Sequence, residues 1–243
     1  MPIGIIVNVL SIVIGGIIGA LAGHKLSSDF KTNINMIFGA CSMTMGVSSI
    51  VLMENMPAVI FAVIIGTSLG LVIHLGDKMN VAAGGMQRVI AKFIKSEHSK
   101  IPEEEFTATL TTIIVLFCAS GTGIYGSIVS GMSGDHSILI AKSILDLFTA
   151  MIFACTLGMV VAVIAVPQFV IFMALFLCAG LIFPMTTPTM INDFKACGGV
   201  LMLATGFRMI KVKMFPTADM IPAMVIVMPF SWVWTTYVLP LVS

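Results

Sequence analysis

Apolar runs of about twenty residues recur from one end of this chain to the other, and that length most constrains its fold. Each run is long enough to cross a hydrocarbon layer as a helix, where the backbone must satisfy its own hydrogen bonds. A closed barrel would show segments of about ten residues with alternating polarity. The runs here are longer and unbroken, so the fold class expected is all-α: a polytopic membrane protein with membrane lipid as its solvent. Composition agrees, with 58% apolar and 9% charged residues among 243. A soluble domain of that length lacks the polar surface to cover so much apolar side chain.

The runs read as eight spans, over 3–22, 35–53, 56–75, 107–131, 138–166, 168–184, 197–210 and 219–240, forming one integral-membrane domain over 1–243. Ala20-Leu21-Ala22 imitates a signal-peptidase site. No basic segment precedes Ile5, however, so the first run is expected to be retained as a span. The charges support the count. Lys25, Lys31, Lys78, Arg88, Lys92, Lys95, Lys100, Arg208, Lys211 and Lys213, most of the 12 basic residues, fall in or beside loops on one face. Lys195 is left on the other face and Lys142 inside a span. Basic loops stay in the cytoplasm, which predicts both termini outside a bacterial inner membrane.

The one sizeable loop, 77–104, is expected on the cytoplasmic side. Val81, Met86, Val89, Ile90, Phe93 and Ile94 recur in it at helical spacing, with Arg88, Lys92 and Lys95 opposite. This pattern predicts a basic amphipathic helix at about 81–95 on the membrane surface. Glu103, Glu104 and Glu105 then suit the N-terminus of the fourth span.

Asp29-Phe30-Lys31 and Asp193-Phe194-Lys195 each precede a glycine-containing run, and Glu54-Asn55-Met56-Pro57-Ala58 parallels Asp219-Met220-Ile221-Pro222-Ala223. Spans one to three would then correspond to spans six to eight. An offset of five spans turns one copy upside down, the arrangement of inverted-repeat transporters.

Spans four and five concentrate the chemistry. Ser120, Gly121, Thr122 and Gly123 lie mid-span. They are either a close-packing face or an unwound turn whose carbonyls and hydroxyls bind an ion or solute. With a helix starting near Ser137, Asp146 sits about 13–14 Å along it, close to the bilayer midplane. Lys142 lies one turn shallower on the same face, with Ser143 beside it and Thr149 continuing the stripe. A charge at that depth costs roughly 2.5–3.5 kcal/mol even on lenient scales, and a buried ion pair is a weak stabiliser. Asp146 is therefore the candidate coupling carboxylate, and Lys142 its counter-charge or an anion ligand. A purely structural pair remains the alternative. Asp135 and His136 read as a helix cap with a solvated neighbour, or as an outer gate. Asn8 reads as an interhelical hydrogen-bonding residue.

Cys41, Cys118, Cys155, Cys178 and Cys197 show no C-x-x-C spacing and read as packing residues, so no metal site or disulfide frame is expected. No P-loop, Gly-x-Ser-x-Gly or His-Glu-x-x-His motif occurs, which predicts neither an enzyme nor a cofactor. The net charge of +1 gives no reason to expect a nucleic-acid partner. Small-residue faces on spans one and four suit a homodimer as well as packing within the chain.

The run Phe117-Cys118, Gly126, Gly131-Met132-Ser133-Gly134-Asp135-His136-Ser137, Lys142, Asp146 and Thr156-Leu157-Gly158 resembles the hallmark segment of the YqgA/YdfK family. Asn8 with Gly15, Gly16 and Gly19, then Gly66 and Gly70, then Asp219 through Ala223 extend the likeness over nearly the whole chain. Two positions depart: Asp219 stands where the family usually has asparagine, and Gln168 is followed by Phe169 rather than glycine. The resemblance implies an integral protein of the bacterial inner membrane and supplies no substrate. The function expected is a secondary transporter or channel-like permease for a small solute or ion. The alternative is a sensor or scaffold acting through the 81–95 helix, with an intramembrane enzyme third.

Overall fold

The computed structural model describes residues 1–22, 27–93 and 103–242, and every regular element among them is helical. The expectations placed on Lys25, Ile94, Lys95 and Lys100 lie outside these residues. Five stretches are long and apolar enough to cross a membrane: Ile3–Leu21, Thr109–Ser133, Ser137–Leu157, Val160–Met185 and Pro222–Leu241. There are six if the bent pair Met56–Val72 and Leu75–Ile90 counts as one span. The chain is thus an all-α membrane protein. The eight spans expected are not reached by length and hydropathy alone, because Met56–Val72 by itself is short and two other helices are too polar. These are α2 (Ser28–Ile50), rich in serine, threonine and asparagine, and α10 (Pro188–Met209), with Asn192, Asp193 and Lys195 near its start.

The chain divides into two compact units: Met1–Asn35 with Asp77–Gly180, and Met36–Gly76 with Leu181–Ser243. In the first unit α1 (Ile3–Ala22) crosses α7 (Ser137–Leu157) closely. A Cβ on Gly15 or Gly19 would strike the backbone carbonyl of Leu147 or Met151. Contact advances from Gly4 against Leu139 to Gly19 against Ala154, so the two helices run parallel.

The fourth predicted span is broken. Helix α5 (Glu103–Cys118) stops, and Ser120 caps α6 (Gly121–Ser133) by accepting from Gly123 N at 3.1 Å. Gly121, Thr122 and Gly123 are therefore the first turn of a helix, and the unwound residues are Ala119 and Ser120. Gly158, at φ 73°, ends α7, and the short α8 (Val160–Val163) leads into α9 (Ala165–Ile182). Helix α6 runs parallel to α9, with Gly123 against Phe172 and Gly131 against Ala179.

The amphipathic helix is α4 (Leu75–Phe93). Ala83, Gln87 and Ile90 are buried, and Ala83 and Ile90 share a core with Phe106, Leu110 and Ile113 of α5. One edge of its apolar stripe thus rests on protein, while Val81 and Val89 stay exposed.

In the second unit α2 and α10 cross antiparallel through glycines. A Cβ on Gly46 would meet Gly199 O at 2.7 Å, and one on Gly199 would meet Gly46 O at 2.6 Å. Gly39 and Gly206 stand in the same relation at 3.0 and 2.7 Å. The flanking contacts are reciprocal as well: Gly39 faces Ile210 as Gly199 faces Ile50, and Gly46 faces Leu203 as Gly206 faces Met43. Helix α3 (Met56–Val72) packs antiparallel on α11 (Pro222–Val233), with Gly66 against Ala223 and Gly70 against Asp219. Helix α10 begins nine residues before its predicted span at 197, because Thr187 caps it by accepting from Met190 N at 3.2 Å and Pro188 suits its first turn. A π-helical turn at Trp234–Val238 and α12 (Leu239–Val242) complete the chain.

Candidate functional site

Asp146 and Lys142 are both buried on α7, 6% and 4% exposed, and Lys142 Nζ donates to Asp146 Oδ2 as an ion pair. The same carboxylate oxygen accepts from Asn8 Nδ2 of α1 at 2.8 Å. Asn8 Oδ1 in turn accepts from Gln168 Nε2 of α9 at 2.7 Å. Gln168 Nε2 also reaches the carbonyl of Phe117, in the last turn of α5, at 3.4 Å. The carbonyls of a helix's last turn lack partners within the helix, and the break at Ala119 leaves this one for a side chain. Four helices thus meet in one polar chain, with Asn8 and Gln168 both fully buried.

The direction of this chain follows from charge. An ionised carboxylate only accepts, so Asn8 must turn its NH2 toward Asp146 and its oxygen toward Gln168. Gln168 must then turn its own NH2 inward. Its Oε1 is left buried without a donor among the described residues, at a cost of about 1–3 kcal/mol. The bonds from Asn8 and Lys142 both end on Asp146 Oδ2. The Lys142 ammonium lies 5.9 Å from the ring centroids of both Phe117 and Phe172, within cation–π range. These surroundings suit Lys142 as counter-charge rather than anion ligand.

The other residues singled out from the sequence stand apart from this chain. Ser143 is buried but donates to Leu139 O of its own helix at 2.6 Å. Ser120 is occupied in capping α6. Asp135 Oδ1 accepts from Ser137 N at 3.0 Å, one residue ahead of the N-cap His136 of α7, and His136 Nδ1 lies 2.7 Å from Ser130 Oγ, closing the α6–α7 turn. Conversely, Gln168 does not stand out in the sequence because it lies at a predicted span boundary, although it is an amide within an apolar run.

Residues 3–232 match the protein family described as "Protein of unknown function (DUF554)". The chain belongs to this family. It is 43% identical over 237 residues to "Uncharacterized protein YqgA" of Escherichia coli (strain K12), covering 98% of this chain and 99% of that one. It is 26% identical over 227 residues to "Uncharacterized membrane protein YdfK" of Bacillus subtilis (strain 168), covering 92% and 93%. No solved structure matches. Asp219 accepts from Gly76 N at 2.8 Å and so fixes the start of α4.

The second unit holds a buried carboxylate that stands out in the sequence only as part of the Asp-Phe-Lys repeat. Asp193 is fully buried. Its Oδ1 accepts from Glu54 N and Asn55 N, each at 2.9 Å, and its Oδ2 from Asn55 Nδ2 at 2.9 Å and Ser231 Oγ at 2.6 Å. Asn55 Nδ2 also reaches Thr235 Oγ1 at 3.0 Å. Both oxygens are satisfied, so this group clamps the entry of α3 and offers no unpartnered acceptor comparable to Gln168 Oε1.

Proposed function

We propose that this protein is a secondary transporter or channel-like permease for a small solute or ion, working through the polar chain at Asp146. One observation carries the reading: a buried carboxylate–ammonium pair is wired through Asn8 and Gln168 to the broken α5–α6 helix. A purely structural pair would gain little, because desolvation offsets most of its attraction. Broken helices and buried carboxylates together are how transporters build sites at mid-membrane.

The proposed topology is eight spans in a bacterial inner membrane, with both termini outside. Packing directions support it. With eight alternating spans, α1 and α7 are spans one and five and must be parallel, as must α6 and α9, spans four and six. Helices α2 and α10 (two and seven) and α3 and α11 (three and eight) must be antiparallel. All four pairs run as required. Six alternating spans, with α3 and α4 as one, would make α1 and α7 antiparallel.

An inverted repeat completes the reading, and reciprocity supports it. Gly39 and Gly199, Met43 and Leu203, Gly46 and Gly206, and Ile50 and Ile210 are each separated by 160 residues and exchange roles in the α2–α10 contact. Asn8 and Gln168 share that separation. The Asp-Phe-Lys runs, 164 apart, are four residues out of this register, so they are not the residues that correspond. The alternative role, a scaffold acting through α4, has less to work with, since α4 spends Ala83 and Ile90 on α5.

The test is reconstitution. Purified protein in liposomes should carry a saturable flux or current for one member of an ion and small-solute panel. Asp146→Asn should abolish it in a variant that remains helical and monodisperse. An unchanged flux would remove Asp146 from the mechanism, and no flux across the panel would end the transport reading.

A further inference from the structure

We propose that the cluster of groups around the Lys142 ammonium is a binding site for a free monovalent cation, with Lys142 as its tethered occupant. The inference deepens the transport reading above and rests on it for its purpose.

Three groups surround the Lys142 ammonium: the Asp146 carboxylate and the rings of Phe117 and Phe172. Aromatic faces carry negative potential, so all three favour positive charge and repel an anion. The charge selected is +1, because one carboxylate supplies the only formal negative charge in the chain of bonds. A divalent ion would keep an uncompensated charge in a low dielectric.

A second observation shows that the tethered ammonium leaves an acceptor unused. Gln168 Oε1 is fully buried and has no donor among the described residues. Gln168 is linked to Asp146 through Asn8, so both belong to one cluster. The Lys142 ammonium, held on its stem, bonds Asp146 Oδ2. A free cation has no stem and can take oxygen ligands from the carboxylate and from the amide, as oxygen-seeking ions do. Two cations cannot share one carboxylate here at low cost, so binding requires the Lys142 ammonium to swing away. Cation occupancy and the state of Lys142 are thereby linked.

Removing the tethered competitor should expose the site, because an occupant that holds it most of the time weakens apparent affinity in proportion. The experiment follows thermal unfolding of detergent-purified full-length protein in lithium, sodium, potassium or ammonium chloride. N-methylglucamine chloride replaces the test salt to hold ionic strength constant. Lys142→Met should show saturable stabilisation by one of these cations, at a concentration at least about tenfold lower than wild type needs. The double variant Lys142→Met/Asp146→Asn should show none. Indifference of Lys142→Met to all four cations would overturn the proposal, as would an equal response of the double variant. If Lys142→Met does not fold, Lys142→Gln takes its place. Equilibrium dialysis of wild type against radioactive sodium or rubidium, with Asp146→Asn as control, then separates the same two outcomes. Flux in liposomes distinguishes this proposal from the reading it deepens. Asp146-dependent cation binding without any flux would sink the transport reading alone, and flux without cation binding would sink this proposal alone.

Discussion

Asn8 and Gln168, 160 residues apart in the chain, are hydrogen-bonded to each other at 2.7 Å in the interior of the first compact unit. One of the two also bonds the buried carboxylate and the other the end of a broken helix. Neither amide can turn over without disturbing its neighbour, so the charge on Asp146 fixes the orientation of both.

That ordering ranks two substitutions. Asn8→Leu removes a donor from a charged acceptor and should destabilise by about 1.5–3 kcal/mol. Gln168→Leu leaves Asn8 Oδ1 without its donor but also deletes the unpartnered Oε1, so the two largely offset and the lost neutral bond should cost less, about 1 kcal/mol. Equilibrium unfolding in mixed detergent compares them, and the reverse order would contradict the assigned polarity of the chain.

Breaking the ion pair should be worse than deleting it. Asp146→Leu alone strands Lys142 and is expected to cost about 3–5 kcal/mol. Lys142→Met/Asp146→Leu should recover most of that loss. The double-mutant cycle is read from unfolding midpoints. An additive double variant would mean that the pair is not coupled in the folded protein.

Symmetry at the α2–α10 crossing is open to a direct check. Gly46→Ala and Gly206→Ala occupy reciprocal positions, each placing a Cβ 2.7 Å from a glycine carbonyl of the other helix. Each should destabilise by about 1–3 kcal/mol, and the two should agree closely. A large effect at one and none at the other would argue against the repeat register at that crossing.

Asp193→Asn places an NH2 group where only acceptors fit the four donors around it. A loss of about 2–3 kcal/mol is expected from one unmet donor and weakened bonds to a formerly charged group. Cation-dependent stabilisation measured on the surviving folded protein should keep its midpoint, because the clamp lies in the other unit.

Topology has its own readout. With both termini outside, alkaline phosphatase fused to the C-terminus should be active and a green fluorescent fusion dark. Fusions truncated after Lys78 should behave in the opposite way.

Asp146 and Lys142 were legible in the sequence because charges inside an apolar run are costly and therefore stand out. Gln168 was not, because polarity at the edge of a run is ordinary. It became informative only when α9 was seen to begin at Ala165 with that side chain fully buried. The hydroxyls at Ser120 and Ser143 stand apart from the polar chain for a related reason. Sequence spacing places a serine on a helix face but does not reveal that its Oγ bonds to backbone a turn away. The break in span four was one of two readings of Ser-Gly-Thr-Gly. The helix parts one residue ahead of those glycines, where Ser120 can cap α6. Asp193 was hidden by distance, since its α3 donors lie 138 residues away.

The α2–α10 crossing bears on how such a chain could have arisen. Its contacts remain the same when the two helices trade places, which is the rule for a two-fold contact between identical subunits. Two copies of a half-length ancestor, inserted in opposite orientations, could have met through this surface before any linker joined them. Fusion would then have freed each copy to diverge, so that an asparagine in one became the counterpart of a glutamine in the other, while the glycines at the crossing could not change without forcing the helices apart.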